Sequence, residues 1–583
     1  MKGRERSNDD MREALVQVTS VRRRSKRREK APAGGLFNIS LLLTCTSCMM
    51  MLYGYDFGIT AWTVLDIKAE GADNATKVYY YLYTHSEILG LLVAGTAIGG
   101  SLGGVAGHFL NGTVGRKTEM RVVNTLCILG SLLEAFSGTF SWNNIISVVV
   151  YGVGRIIFGF GLGLALRCGP IYLRETVPAS KKNMATVSVK LSMVLGMIVS
   201  YIVGGVVSTK LYGYFGVSFM AALSLVCLGE LPESPMFMLL CENRYAPEEV
   251  LDAMRFTNPK ATLEDVSQLR GDMLRETLLY IPKEVLSGRG QDSGSGSGSS
   301  SGSVKGKTAA AAKAGYFGFE SSRASDTETS EGRGSGISSE NGDGAEISIS
   351  ITEAVQNLPS LINTPGMRAP LLLSAGLMAF EQASGMTALL YYSAIFLDDI
   401  DVISVDLGLA LLGALQLVMV VVVLYAMDIF GRKPLLQVGA AALAVSDVLL
   451  TSGAFLGLDT SGGWLALIGL YAFTASYSLS LGALVWVVVA EVFPTCLRAQ
   501  AVSIVATTHF FTGALVVVAL PVLTQHFGYS GMFCVFLGVA ILGNIFVHRF
   551  MVETKGLALR EVQRALAVKA GFSLGQETAI ENV

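Results

Sequence analysis

Gly115-Arg116-Lys117 and Gly431-Arg432-Lys433 decide how this 583-residue chain is read. The two tripeptides lie 316 positions apart, and each follows a long apolar run. Glu175-x-x-Pro178-x-x-x-Lys182 and Glu491-x-x-Pro494-x-x-x-Arg498 are separated by the same 316 positions. Two independent motifs at one offset mark an internal duplication. A single Gly-Arg-Lys would read as a tight turn carrying positive charge. In duplicate, with Glu175, Glu491 and Asp428 expected on the same cytoplasmic face, the cations of Arg116, Lys182, Arg432 and Arg498 are expected to form an inner salt-bridge network. Glu233 is expected to join it. Such a network biases two halves toward one of two arrangements.

The runs around these motifs are long enough to cross a bilayer, which takes about 20 apolar residues. Twelve can be placed, near 36–60, 86–110, 121–139, 144–168, 184–208, 213–229, 370–397, 404–427, 434–457, 463–490, 500–525 and 529–550. The backbone in lipid must satisfy its own hydrogen bonds, so the runs are helices. The expected fold is an all-α membrane protein of twelve transmembrane helices in two pseudo-symmetric six-helix halves. Composition agrees: 51% of residues are hydrophobic and only 15% charged, against about 25% in soluble proteins. Mean hydropathy is +0.51. An ordinary cytosolic enzyme, a disordered chain and a disulfide scaffold are excluded. There is no P-loop, no nucleophile elbow and no metal-ligand spacing, so no enzyme, cofactor or metal is expected. Cys45 and Cys48 fall within an apolar run, where neither a redox nor a metal role is expected.

Charge divides the chain. Residues 1–35 and 230–368 hold 49 of its 90 charged residues. The first segment reads as a basic cytoplasmic tail, with Arg22, Arg23, Arg24, Lys26, Arg27, Arg28 and Lys30 in one run. Residues 36–229 and 369–551 are the two bundles. Residues 230–368 are a cytoplasmic loop with two amphipathic helices near 246–256 and 262–287. A Gly/Ser tract follows, about 287–345, too poor in apolar surface to fold, and then a short helix near 349–359. Residues 552–583 form a second cytoplasmic tail. Inner loops carry Arg116, Lys117, Arg121, Lys181, Lys182, Arg432, Lys433, Arg498 and Arg549. Outer loops carry only Lys68, Lys77 and Lys210. This cationic bias puts both termini in the cytoplasm. The basic run beside the first span suits anionic lipid rather than nucleic acid. Asn74-Ala75-Thr76 is a glycosylation sequon on the outer side. The plasma membrane is the default location.

Further motifs accompany the repeat. They are Gly54-Tyr55-Asp56-x-Gly58, Gly154-Arg155, Pro170-Ile171-Tyr172-Leu173-Arg174-Glu175, Pro232-Glu233-Ser234-Pro235, Gln382-Ala383-Ser384-Gly385-Met386 with Tyr391-Tyr392, Trp486, and Glu553-Thr554-Lys555-Gly556. Together they resemble the sugar porter family of the major facilitator superfamily, from Gly54 to Gly556. The resemblance implies movement of a hexose or similar polar solute by alternating access, through a site rich in amides and faced by an aromatic ring. It also implies the site positions. The family's fifth-span Gln falls on Lys190, its seventh-span amides on Glu381, Gln382 and Thr387, its tenth-span Trp on Trp486, and a later Asn on His509. Lys190 and Glu381 thus stand where amides are expected. They form a mutual salt bridge, or they take a charged solute, with Arg167 adding positive charge nearby.

An unpaired charge at the bilayer centre costs about 2.5–3.5 kcal/mol on insertion scales. The resemblance links Asp56 and Arg155 to proton coupling; the pair also reads as a static ion pair. Tyr391 and Tyr392 read as an outer gate or as simple packing, and His509 as an interior histidine or a solute contact. Glu134 and Asp447 also fall in predicted spans. The partners implied are a small solute, protons and the lipid bilayer. Two alternatives stand beside a sugar transporter: a transporter of a charged solute such as an amino or organic acid, and a non-transporting nutrient sensor of the same fold.

Overall fold

In a computed structural model, the described residues are 35–72, 82, 85–110, 112–137, 144–177, 182–207, 210–241, 244–278, 366–458 and 461–570. The N-terminal tail, the sequon at Asn74, the 287–345 tract and the expected helix near 349–359 lie outside them. All regular structure among the described residues is helical.

The first half comprises α1 (Gly35–Ala72), α2 (Ser86–Leu110), α3 (Arg116–Ser137), α4 (Asn144–Thr176), α5 (Lys182–Val206) and α6 (Tyr214–Glu230). Three short helices follow: α7 (Pro235–Leu240), α8 (Pro247–Thr257) and α9 (Leu263–Leu278). The second half contains α10 (Arg368–Ala383), α11 (Met386–Ile400), α12 (Val405–Phe430), α13 (Arg432–Leu456), α14 (Ser461–Leu479), α15 (Leu481–Val492) and α16 (Thr495–Phe550). The helix α17 (Leu559–Lys569) closes the described chain. Twelve spans result once three features are read together. α10 and α11 are one span broken at Ser384-Gly385, and α14 and α15 one span broken at Ser480. α16 is two spans joined across Gly528, whose φ is 66°.

Two expected spans, 370–397 and 463–490, are therefore discontinuous rather than continuous. At the first break Gly385 adopts φ 89°, and a Cβ there would lie 2.4 Å from the Phe536 ring. Only glycine meets both constraints.

Large apolar side chains such as Phe109, Ile145, Val206, Val226, Phe455 and Ile541 stay exposed around the outside. In water this would be a liability; facing lipid it is the expected surface. The halves meet through α2 against α16, α1 against α11 and α5 against α12. Within the first half, α1 and α5 touch backbone to backbone: a Cβ on Gly54 would fall 1.7 Å from the Met193 carbonyl oxygen. This close approach brings Lys190 of α5 beside Tyr53 of α1.

The short helices build a small separate core from Met236, Met238, Leu239, Val250, Leu251 and Met273. Ser234 caps α7 by accepting from Phe237 N at 3.3 Å, with Pro235 in the first helical position, the arrangement that suits a helix start. Asn38 Nδ2 donates to Phe256 O (2.9 Å) and Thr257 Oγ1 to Thr176 O (2.7 Å), tying α8 to α1 and α4. Glu276 of α9 accepts from Thr495 N (2.8 Å) at the start of α16.

Candidate transport site

The six residues that sequence reading assigns to the solute, Lys190, Glu381, Gln382, Thr387, Trp486 and His509, all line one central cavity between the halves. Tyr53, Phe57, Gln416 and Tyr477 line it too, and sequence reading missed them. The helix breaks do the positioning. Glu381 and Gln382 end α10, Met386 and Thr387 begin α11, and Tyr477 and Trp486 flank the break at Ser480. The cavity measures about 30 Å³, enough for a water or two.

Its polar groups interlock. Tyr53 Oη lies 3.0 Å from His509 Nε2, and Gln382 Nε2 lies 3.0 Å from His509 Nδ1. An imidazole donating from Nε2 and accepting at Nδ1 satisfies both contacts. Tyr477 Oη donates to Glu381 Oε1 (3.0 Å), and Glu381 Oε2 stands 3.4 Å from His509 Nδ1. Trp486 meets His509 edge to face at 5.5 Å. Gln416 Nε2 is buried without a hydrogen-bond partner among the described residues.

The expected Lys190–Glu381 salt bridge does not form. Glu381 takes its hydrogen bond from Tyr477, and Lys190 Nζ sits 5.9 Å from the centroid of the same ring. Arg167 does not reach the site either. It is buried in an ion pair with Glu119 of α3, so its charge is spent inside the first half.

Beside the cavity lies the second predicted pair. Asp56 and Arg155 are fully buried and joined directly. Thr60 Oγ1 donates to Asp56 Oδ1 (3.4 Å) and accepts from Arg155 Nη1 (2.9 Å); Arg155 Nη2 donates to Val93 O (3.0 Å). Tyr391 Oη donates to Asp56 Oδ2 at 2.8 Å. Its ring packs 4.9 Å from Phe57 and 5.6 Å from the guanidinium carbon. Tyr391 of one half is thus a hydrogen-bond donor to the carboxylate of the other. Tyr392 instead lines a separate vestibule of about 510 Å³ shared with Lys68, Phe396 and Tyr529. There Lys68 of α1 pairs with Asp399 (2.6 Å) and Asp398 (3.0 Å) of α11, a cross-half lock absent from the sequence reading.

The helix ends at the two Gly-Arg-Lys turns show the duplication in atomic detail. Arg116 Nε lies 3.5 Å from Glu175, and Ser234 Oγ donates to Glu175 Oε2 (2.6 Å). Arg432 Nη2 lies 2.8 Å from Glu491, and Thr554 Oγ1 donates to Glu491 Oε2 (2.6 Å). Glu233 accepts from Lys117 N (3.0 Å); Glu553 accepts from Arg432 N (2.9 Å) and Lys433 N (3.0 Å). Burial raises the pKa of Glu233. Burial acts the same way on Glu553, but four backbone N–H donors outweigh it and hold that carboxyl below its ordinary 4.5. Arg498 donates to Phe493 O (3.1 Å) rather than to a carboxylate. Asp428 is exposed and outside the network among the described residues. The side chain of Lys182 lies outside the described set.

The family model described as "Sugar (and other) transporter" matches residues 42–273 and 316–566. The D-xylose-proton symporter-like 3, chloroplastic, of Arabidopsis thaliana is 27% identical over 528 residues, covering 88% of this chain and 80% of the relative. The putative metabolite transport protein YwtG of Bacillus subtilis (strain 168) is 24% identical over 527 residues, covering 89% and 93%. Among solved structures, the proton:xylose symporter XylE bound to 6-bromo-6-deoxy-D-glucose, of the major facilitator superfamily, gives a TM-score of 0.64. Its sequence identity is 19%, with 91% of this chain and 98% of that chain covered. XylE comes from E. coli. That likeness establishes a shared fold.

Proposed function

The chain belongs to the sugar (and other) transporter family, as a multi-pass membrane transporter, and from that premise we propose that its solute is a sugar or similar polyol. The solute binds in the central cavity and moves with a proton held at Asp56–Arg155. The observation that carries this reading is the convergence of both halves on one cavity, with Tyr391 joining that cavity's wall to Asp56. Trp486 offers an apolar face to a sugar ring. Gln382, Gln416, His509, Tyr53 and Thr387 offer donors and acceptors to its hydroxyls. The unpartnered Gln416 amide is a donor waiting for such an acceptor.

Coupling follows from one helix. Met386, Thr387 and Leu390 of α11 face the cavity, and the next residue, Tyr391, donates to Asp56. When α11 moves with the solute, Asp56 loses a donor. A carboxylate that loses a hydrogen bond to its charged form favours protonation. The Lys68–Asp398/Asp399 lock on the outside and the paired Arg–Glu networks inside supply the two faces of an alternating-access cycle. Both termini and the 230–368 loop are assigned to the cytoplasm, and the protein to the plasma membrane; the basic run at Arg22–Lys30 supports that orientation.

One observation favours a second reading. Lys190 Nζ makes no hydrogen bond or ion pair among the described residues, so an anionic solute such as a sugar acid would find a counter-charge at the cavity wall. Uptake into proteoliposomes separates the readings. The panel holds hexoses, pentoses, polyols, sugar acids and amino acids, each with and without an inward proton gradient. Gradient-stimulated uptake of a neutral sugar is expected. Uptake confined to anions would transfer the site to the charged-solute reading, and transport of nothing would leave a sensor.

A further inference from the structure

Glu134 of α3 is fully buried, and neither of its carboxylate oxygens has a hydrogen-bond partner among the described residues. It packs against α4 where Arg155 emerges: a Cβ on Gly154 would meet Glu134 Cγ at 2.9 Å. The ionisable groups that act on it are Arg155 and Tyr151 of α4, Tyr214 of α6, Asp56 of α1 and Cys127 of its own helix. Tyr151 and Tyr214 bond to each other (2.9 Å), and Tyr214 to Thr60 (3.1 Å). Within the same cluster Arg155 Nε is a buried donor with no partner among the described residues. The cluster therefore holds two carboxylates and one guanidinium, all three fully buried.

Asp56 receives Arg155, Thr60 and Tyr391, while Glu134 receives nothing. One guanidinium balances one carboxylate. A second ionised carboxylate, fully buried and without a donor among the described residues, is not sustained in such surroundings. We infer that Glu134 is a second proton-bearing carboxylate of the coupling site, sharing Arg155 with Asp56, so that the two acids hold one proton between them. In the described arrangement the proton is on Glu134 and the charge on Asp56. When Tyr391 withdraws, Arg155 can turn its free Nε–H to Glu134, which then carries the charge while Asp56 carries the proton. One O–H bond breaks at Glu134, one forms at Asp56, and the cluster's net charge is unchanged. Among the described residues Tyr391 is the only donor to Asp56 from the other half, so solute binding and proton position are tied through it.

This inference rests on the proton-coupled reading above. Its test uses the full chain in proteoliposomes and compares wild type, Glu134→Gln and Glu134→Asp. Two rates are read for each: solute accumulation driven by an inward proton gradient, and solute counterflow without a gradient, both as functions of pH. Glu134→Gln is expected to lose accumulation above equilibrium and to lose the pH dependence of its counterflow. Glu134→Asp, which restores a titrating carboxyl, is expected to recover both, with a displaced pH profile. Accumulation by Glu134→Gln with the wild-type pH profile would overturn the inference. So would loss of counterflow in both variants, which would make Glu134 a packing residue. A wild type that shows counterflow but no gradient-driven accumulation would instead defeat the coupling reading itself, and this inference with it.

Discussion

Replacing Lys68 with Met should shift the protein toward an outward-open state by a calculable amount. Lys68 Nζ bridges Asp399 at 2.6 Å and Asp398 at 3.0 Å, joining α1 of one half to α11 of the other at the outer vestibule. The three side chains are 33%, 31% and 49% exposed, so solvent screens both pairs. Screened pairs contribute about 0.2–1 kcal/mol each, or about 1 kcal/mol for the two together. That is a factor of about 5 between open and closed populations. Asp399 keeps a second donor, the Tyr529 hydroxyl at 2.5 Å, so the variant does not strand its carboxylate. Methionine also preserves the apolar stem that packs in the vestibule. The assay is the distance distribution between spin labels at the outer ends of α1 and α11 in nanodiscs, at low and high salt. The longer distance should gain weight in Lys68→Met. Wild type should approach the variant at about 1 M salt, where the Debye length is about 3 Å. An unchanged distribution in the variant, or a wild-type distribution indifferent to salt, would refute the lock.

Three more outcomes follow from the same geometry. Trp486→Ala removes the ring facing the cavity; at about 1 kcal/mol of aromatic contact the apparent solute affinity should fall about fivefold, measured as the concentration for half-maximal uptake. Gly385→Ala places a Cβ at φ 89° and 2.4 Å from Phe536; left-handed strain of about 1–2 kcal/mol and overpacking of about 1–3 kcal/mol should lower the melting temperature and abolish uptake, whereas Ser384→Ala should not. Glu553, held below its ordinary 4.5 by backbone donors, stabilises the turn at Gly431 above pH 4.5 and releases it as pH falls through the lowered value. Hydrogen exchange at the Arg432 and Lys433 amides should accelerate on that acid side, and Glu553→Gln should remove the pH dependence.

Most of the architecture is written in the chain at short range. Twenty-residue apolar runs and a 316-residue repeat lead directly to twelve spans, because lipid leaves the backbone few alternatives. The breaks at Ser384-Gly385 and Ser480 were hidden inside otherwise apolar runs, although Gly385 stood in view within a motif. The cavity residues were reachable only through resemblance to a family, since a lone Gln or Trp in a span has no signature of its own. Tyr53, Tyr477 and Gln416 escaped because an aromatic or an amide in a helix reads as packing until the fold puts it beside a cavity. Lys190 and Glu381 were paired on charge alone, without the Tyr477 ring and hydroxyl that separate their interactions. Arg167 was likewise assigned to the neighbourhood of the solute site, while its partner Glu119 lay one helix away. The Lys68 lock joins positions 330 residues apart in different halves, and nothing local announces it.

The central claim is that solute and proton move together through the Asp56 cluster. Its most direct measurement is external pH after a pulse of solute to unbuffered proteoliposomes held without any initial gradient. Wild type should alkalinise the medium as a transported sugar enters, and Asp56→Asn should admit the sugar with no such change. Sugar entry by wild type at constant external pH would contradict the account.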